Sequence, residues 1–368
     1  MSRRILVLGS DRAIGRCVST ALAADPSIEC IVGGHHSGNL AAHKRLQAYA
    51  KQIGARVSAA NVADGILMRE ALEGVFAVVN ATALGRHSSY ALASQCARHG
   101  AHYVDLASSR EHVSGIKALD RRAQAAGCLL VTGANVVPAI SGALVDSLAH
   151  EFDRLDEIHV ALSPFDGNQP WFVTMRTLTA RIGRPIRVRR NGRWRVAYGW
   201  SEPEKVAFPK PVGSMRAYLC DAPDLDLFPH RYRAGTVTFR VGLPRASWSY
   251  ALAALGRYRR RRYLAEQAQR NPGSVDGRDG FQDLVDKTAS IQVRMRGQRD
   301  GAEVVHCACL IARNDSGAAI ASSPAIALVK RWVRDGVTDP GAVPCLGLLS
   351  LEAVKAGLLG HDIVLVRS

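Results

Sequence analysis

The sequence predicts an α/β chain in two parts: a parallel sheet covered by helices on both faces, then an α+β region built on a mostly antiparallel sheet. Three observations predict it. Over the first 140 residues, short apolar runs alternate with segments of helical period, with short connections between them. The first apolar run ends in a turn bracketed by two glycines, Gly9-Ser-Asp-Arg-Ala-Ile-Gly15. Beyond Pro164 the alternation gives way to strand-like runs separated by glycine, proline and charged turns. The expected division is 1–140 for the parallel-sheet domain and 141–330 for the second domain. Residues 331–368 are expected to be a C-terminal segment packing back on the first domain.

Taken in order, Arg4 to Leu8 is a buried parallel strand by composition. After the glycine turn, Arg16 to Ala24 has apolar residues at helical spacing. Ile28 to Val32 is a second strand, Asn39 to Ile53 a helix and Val57 to Asn61 a third strand. Ile66 to Leu72 is a helix closed by Gly74, and Ala77 to Ala81 a fourth strand. Ser88 to His99 is a helix closed by Gly100. Tyr103 to Leu106 and Cys128 to Thr132 are strands flanking a helix around Ile116 to Ala126. Ser141 to Phe152 adds one more helix, and Ile158 to Leu162 a strand that starts the second region. There the strand-like runs are Ile186 to Arg190, Arg193 to Ala197, Val237 to Val241, Ser290 to Arg296 and Val304 to Ala312. Ser323 to Val333 and Leu351 to Leu358 read as helices, and Ile363 to Val366 as a last strand.

A glycine turn between a first strand and a first helix is the phosphate-binding position of a Rossmann domain. Gly9 lets the chain leave the strand sharply, and Gly15 lets the helix pack close to the sheet. Backbone N–H groups of Ser10, Arg12, Ala13 and Ile14, with the helix N-terminus, offer partial positive charge to a pyrophosphate. The usual middle glycine falls at Arg12, whose guanidinium could bind the phosphate instead. At the end of the second strand, an acidic residue would bond a ribose 2′-hydroxyl. The chain has Gly33-Gly34-His35-His36-Ser37 there, with Lys44 and Arg45 further on, so the pattern favours NADP and leaves NAD as the alternative. Asn61 and Val62, with Asp64, follow the third strand where the adenine edge is held. Asn80, Ala81 and Thr82 follow the fourth, where the nicotinamide ribose sits. These assignments rest on position alone.

Composition narrows the class further. Hydrophobic residues make up 47% and charged residues 22% of the 368, which is ordinary for a globular protein. The formal charge of +16 attracts anions. The eight cysteines form no C-x-x-C pair and read as free thiols in a reducing compartment. There is no signal-peptide pattern and no apolar run that spans a bilayer, so a cytoplasmic location is expected. The run Arg257-Tyr-Arg-Arg-Arg-Arg-Tyr263 follows an apolar stretch. It could touch acidic lipid or nucleic acid, or be a solvated helix end, and no nucleic-acid-binding motif supports a specific nucleic-acid partner.

Asn80-Ala-Thr-Ala-Leu-Gly-Arg-His87, then Gly100-Ala-His-Tyr-Val-Asp-Leu-Ala107, then Gly133 to Pro138 and Gly142, resemble the saccharopine dehydrogenase family of the saccharopine-reductase type. The resemblance covers the first 150 residues well and continues more loosely to the end. It implies a two-domain reductase that interconverts an imine with a secondary amine using NADPH, acting on a small, carboxylate-bearing substrate. It places the family's Tyr-x-Asp carboxylate at Asp105 and a loop histidine at His87, the two candidate catalytic groups. Asp105 could bind the substrate amine, relay a proton or cap the following helix. His87 could be a general acid, its ordinary pKa lying near neutrality. Arg12, Pro138-Ala139 and Leu84-Gly85 depart from the family pattern. Two further readings remain: an enoyl reductase acting on a lipid- or polyketide-linked substrate, and a non-catalytic NADP-binding sensor. An antiparallel sheet in the second domain often supports dimers, so a homodimer is expected.

Overall fold

The computed structural model describes residues 2–34, 40–60, 64–82, 84–163, 181–242, 246–269, 289–313, 316–358 and 360–368. The chain divides into two compact units. The first holds residues 1–140 and 318–360, the second 141–317 and 361–368.

The first unit is a seven-stranded sheet in which every pair described is parallel. Its strands are β1 (Arg3–Leu8), β2 (Ile28–Gly33), β3 (Arg56–Val57), β4 (Ala77–Asn80), β5 (His102–Asp105), β6 (Leu129–Thr132) and a seventh, Gly341–Pro344. The spatial order is Gly341–Pro344, β6, β5, β4, β1, β2, β3. Strands β4, β5 and β6 are buried along their whole length, because helices cover both faces of a sheet that right-handed crossovers build. Those helices include α1 (Ala13–Ala23), α2 (Leu40–Ile53), α3 (Gly65–Leu72), α4 (Arg86–Arg98), α5 (Arg110–Ser114) and α6 (Asp120–Ala125). Asp64 caps α3 by accepting from the Ile66 and Leu67 amides at 2.9 and 3.2 Å, and Ser109 caps α5 through the His112 amide at 3.3 Å. On one face of the sheet, Leu6, Leu72, Leu92, Tyr103 and Ile116 belong to one core cluster.

The seventh strand was not anticipated. Gly341–Pro344 is too short and too poor in β-branched residues to announce itself. It is fixed instead by pairing beside β6 and by the Asp120 carboxylate, which accepts the Ala342 amide at 2.7 Å.

The second unit is a mixed sheet, mostly antiparallel. In chain order its strands are β7 (Arg154–Ser163), β8 (Pro185–Arg190), β9 (Arg193–Tyr198), β10 (Glu204–Ala207), β11 (Ser214–Leu219), β12 (Thr236–Gly242), β13 (Ala289–Arg299) and β14 (Ala302–Ala312). Its spatial order is β10, β11, β12, β7, β13, β14 and then Ile363–Arg367, with the β8–β9 hairpin attached through β12. Among the described strands of this sheet, β12 and β7 are the pair that runs parallel. Ile158, Val160 and Leu162 alternate with Glu157, His159 and Ala161, the period of a sheet with one apolar face. Helices α7 (Ser141–Ala149) and α8 (Asp224–Tyr232) pack against this sheet. The C-terminal segment therefore does not behave as one body. Residues 318–360 complete the first unit, whereas Ile363–Arg367 pairs with β14 because both carry apolar residues in register.

Candidate functional site

The strand order of the first sheet reverses between β1 and β4: from β1 the chain proceeds outward to β2 and β3, then returns to β4 on the other side. A crevice opens at the carboxyl ends of strands at such a point. The turn after β1 and the loop after β4 are pressed together there. Gly9 has φ +85°, and a Cβ on it would stand 2.8 Å from the Ala81 carbonyl oxygen. A Cβ on Gly15 would stand 2.0 Å from the Gly9 carbonyl oxygen, so only glycine lets α1 start this close to β1.

Hydrogen bonds fix the turn. The Gly9 and Ser10 amides donate to the Gly33 carbonyl at 2.9 and 3.2 Å, and the Arg12 amide to the Gly9 carbonyl at 3.0 Å. Ser10 is fully buried and donates its hydroxyl to the Val7 carbonyl at 2.9 Å, so it braces the turn from beneath. The first helical bond of α1 runs from the Arg16 amide to the Arg12 carbonyl. Helix geometry leaves the amides of Ala13, Ile14 and Gly15 without a helical carbonyl partner, and the N-cap Arg12 supplies no side-chain bond to them. The Arg12 backbone is extended, φ −110° and ψ 158°, a conformation open to any residue, and its side chain is exposed. The missing middle glycine thus costs this turn no backbone strain.

Asn80 organises the loop after β4. It is buried, and its amide nitrogen donates to the Tyr103 hydroxyl at 2.9 Å. Its side-chain oxygen accepts both the amide and the hydroxyl of Thr82. This turn holds Ala81 and Thr82, both half-buried, against Gly9, while Asn80 lies underneath.

Asp105 ends β5 and is 2% exposed. Its carboxylate accepts five hydrogen bonds: from the Ala107 amide at 3.0 Å, the Thr132 hydroxyl at 2.7 Å, the Gly133 amide at 3.1 Å, the Tyr103 hydroxyl at 3.1 Å and His112 Nε2 at 3.2 Å. Burial alone would raise its pKa. The hydrogen bond and charge of His112, then the Thr132 and Ala107 donors, outweigh burial and hold the carboxyl below its ordinary value. His112 is itself buried on α5, edge-on to the Tyr90 ring at 5.3 Å. Tyr90 donates its hydroxyl to the His112 carbonyl, and burial followed by the Asp105 charge pushes its pKa up to about 12. After β5, the Ser108 hydroxyl is buried with no hydrogen-bond partner.

His87 occupies the first turn of α4, exposed to solvent. It is not part of the Asp105 network. Arg86 beside it pairs with Glu111 at 3.0 Å. His35, His36, Ser37, Asn61 and Val62 lie outside the described residues. The structure thus brings Gly9, Gly15, Ala81 and Thr82 together, seats Ser10 and Asn80 beneath them and sets His87 apart from Asp105. Sequence reasoning missed Tyr103, His112 and Thr132. Tyr103 was detectable as the same-face neighbour of Asp105 two residues earlier. His112 and Thr132 arrive from other elements, and nothing in their local sequence marks them.

The cleft suits a dinucleotide on this chain's own features: a glycine turn that a Cβ would fill, an uncapped helix start beyond it and an orphaned buried hydroxyl after β5. Residues 5–131 match the saccharopine dehydrogenase NADP-binding domain family. No curated protein matches the sequence. Among solved structures, the apo, histidine-tagged saccharopine dehydrogenase (L-Glu forming) of Saccharomyces cerevisiae aligns over 100% of both chains with TM-score 0.70 and 15% identity, a likeness of fold. A probable dehydrogenase from Thermotoga maritima aligns over 96% of this chain and 93% of its own, with TM-score 0.49 and 10% identity. A myo-inositol dehydrogenase from Corynebacterium glutamicum aligns over 100% and 99%, with TM-score 0.45 and 12% identity.

Proposed function

From residues 5–131, which match the saccharopine dehydrogenase NADP-binding domain family, we propose an NADP-dependent oxidoreductase that reduces the C=N bond of an amino-acid-derived substrate. The observation that carries the redox reading is the pressed-together pair of turns at the switch point, where Gly15 has no room for a Cβ. The C–N chemistry rests on the family of the domain.

The cofactor, when bound, supplies the hydride. This chain's part begins at the phosphates. The amides of Ala13, Ile14 and Gly15, with the dipole of α1, would hold the pyrophosphate, and the exposed Arg12 guanidinium would bind it in place of the absent glycine. Ala81 and Thr82, positioned by Asn80, would border the nicotinamide ribose. His35, His36 and Ser37 would select the 2′-phosphate, as the absence of an acid there suggests.

Asp105 is assigned a positioning role. A carboxylate with five donors has no free lone-pair direction for a substrate amine, and its acidity is shifted away from neutrality. It ties the ends of β5 and β6 to α5. Protonation of the substrate nitrogen is assigned to His87, which is exposed and follows the β4 loop directly.

The test is a titration with NADPH and NADH, read by tryptophan quenching and cofactor emission, followed by NADPH oxidation with amine and oxo-acid pairs. Tighter binding of NADPH and turnover with such a pair support the proposal. Tight NADPH binding without turnover on any pair overturns the C–N reading, and binding of neither cofactor overturns the redox reading. His87→Gln should lower turnover at least tenfold while leaving cofactor affinity intact.

A further inference from the structure

Helix α9 (Ala246–Gln269) and the β8–β9 hairpin form one basic, aromatic surface on the second unit. The two elements touch closely: a Cβ on Gly183 would lie 2.4 Å from the Gly256 carbonyl oxygen and 2.8 Å from Arg259 Cβ, and the Arg260 guanidinium sits 4.0 Å over the Tyr198 ring. Within α9, Leu252, Ala253 and Gly256 are buried, so helical periodicity turns Tyr250, Arg257, Tyr258 and Arg261 outward, and all four are exposed. On the hairpin, register places Arg187 and Arg189 opposite Val196 and Trp194 on one face. Val196 there is 68% exposed.

The surface is unbalanced in charge. The acids nearest in sequence are engaged by other arginines: Glu202 by Arg190, Asp221 by Arg181 and Glu204 by Arg240. Arg193, Arg195, Arg257, Arg259 and Arg261 have no acidic partner among the described residues. A surface of this kind fits a polyanion. The make-up of the face favours a bilayer over a nucleic acid. Trp194, Tyr198 and Tyr250 each carry a guanidinium over one ring face, from Arg187 at 4.2 Å, Arg260 at 4.0 Å and Arg216 at 5.5 Å, which leaves fewer ring faces for stacking on bases, while Tyr258 is 59% exposed. Exposed apolar side chains, Val196 and Leu264 at 68% and 46%, lie on the same elements, where they can enter the acyl boundary while the arginines meet headgroups.

We propose that this face docks peripherally on an anionic phospholipid membrane. No described helix is long and apolar enough to cross one. Docking is by surface charge, with shallow insertion of Val196 and the outer tyrosines.

The experiment is co-sedimentation of the full-length protein with phosphatidylcholine vesicles, with and without 30% phosphatidylserine, at about 0.1 M salt. Binding is expected only to the anionic vesicles and should weaken as salt rises. Arg257→Gln with Arg261→Gln should reduce vesicle affinity roughly thirtyfold, at about fivefold for each arginine lost near a charged surface. NADPH affinity and thermal midpoint should not move. Val196→Ser, a neutral change on a separate element, should weaken vesicle binding without changing its salt dependence. No binding to anionic vesicles, or equal binding to neutral ones, overturns the proposal. So does a single-stranded RNA that binds more tightly than the vesicles and displaces the protein from them.

Discussion

Gly15 sits where a methyl group would stand 2.0 Å from the Gly9 carbonyl. Gly15→Ala therefore has to move α1 off the sheet, because the obstacle is backbone rather than a side-chain end. We expect a loss of about 1–3 kcal/mol of stability and at least tenfold weaker NADPH binding, read by thermal denaturation and fluorescence titration. Asp105 behaves differently. Asp105→Asn replaces an acceptor of five hydrogen bonds with a group that must present two N–H donors to donors. Leaving the buried donors of Tyr103, His112 and Thr132 without their acceptor should cost at least about 1–3 kcal/mol. Because the folded pKa of Asp105 is depressed, its contribution exists above the unfolded value near 4 and is lost as pH falls through the folded value. Urea unfolding from pH 7 to 3 should show wild type losing this increment while Asp105→Asn loses less. Asp105 was legible as important from its position at a strand end. Its role was not, because saturation by Thr132, Gly133 and His112 depends on side chains and amides that only the fold assembles.

At the scale of elements, α7 and α8 begin side by side around one buried carboxyl group. Asp224, the first residue of α8, is fully buried, and among the described residues neither of its oxygens has a partner at good hydrogen-bond geometry. Burial raises its pKa to about 7, and the nearby Ser141 hydroxyl and its own amide oppose the rise without cancelling it. The folded pKa lies above the unfolded one, so below about pH 4 the group is neutral in both states and has no effect. As pH rises toward 7 the unfolded chain gains the favourable ionisation and the folded one does not. Stability should therefore fall over that interval by an amount on the order of 4 kcal/mol. Asp224→Asn should flatten this part of the pH–stability curve and be more stable than wild type at pH 8, as measured by denaturant midpoints. Identical pH profiles for the two proteins would overturn this assignment. Most elements of the first unit were legible because a buried parallel strand and a helix differ in period and length. The pieces that escaped, Glu204–Ala207, Ser214–Leu219, Asp224–Tyr232 and Gly341–Pro344, are short or broken by Pro229, and they take their form from the neighbours they pair with.

On the scale of the molecule, the chain leaves the first unit at residue 140, returns at 318 and leaves again at 360. Each sheet therefore depends on the last fifty residues: Gly341–Pro344 covers the edge of β6, and Ile363–Arg367 covers the edge of β14. A chain ending at Gly336 should lose both. It exposes the apolar edge of β6, a ready template for pairing with another chain. We expect aggregation and loss of NADPH binding, although the whole of residues 5–131 is retained. Size-exclusion chromatography and cofactor titration would show this, and a soluble, cofactor-binding truncation would disprove it.

What the sequence determined by itself was local and periodic: strand against helix, the glycine turn after β1, the absence of an acid after β2 and the change of texture beyond Pro164. Each depends on residues within a few positions of one another, so backbone geometry and burial period suffice to read it. The tertiary structure alone decided the rest. It placed Asn80 and Ser10 beneath the turns that follow β4 and β1, closed Asp105 inside five hydrogen bonds, left His87 at the surface and joined the basic helix to the hairpin. Those outcomes depend on contacts between residues distant in the chain, where register and packing, not local preference, settle which groups meet.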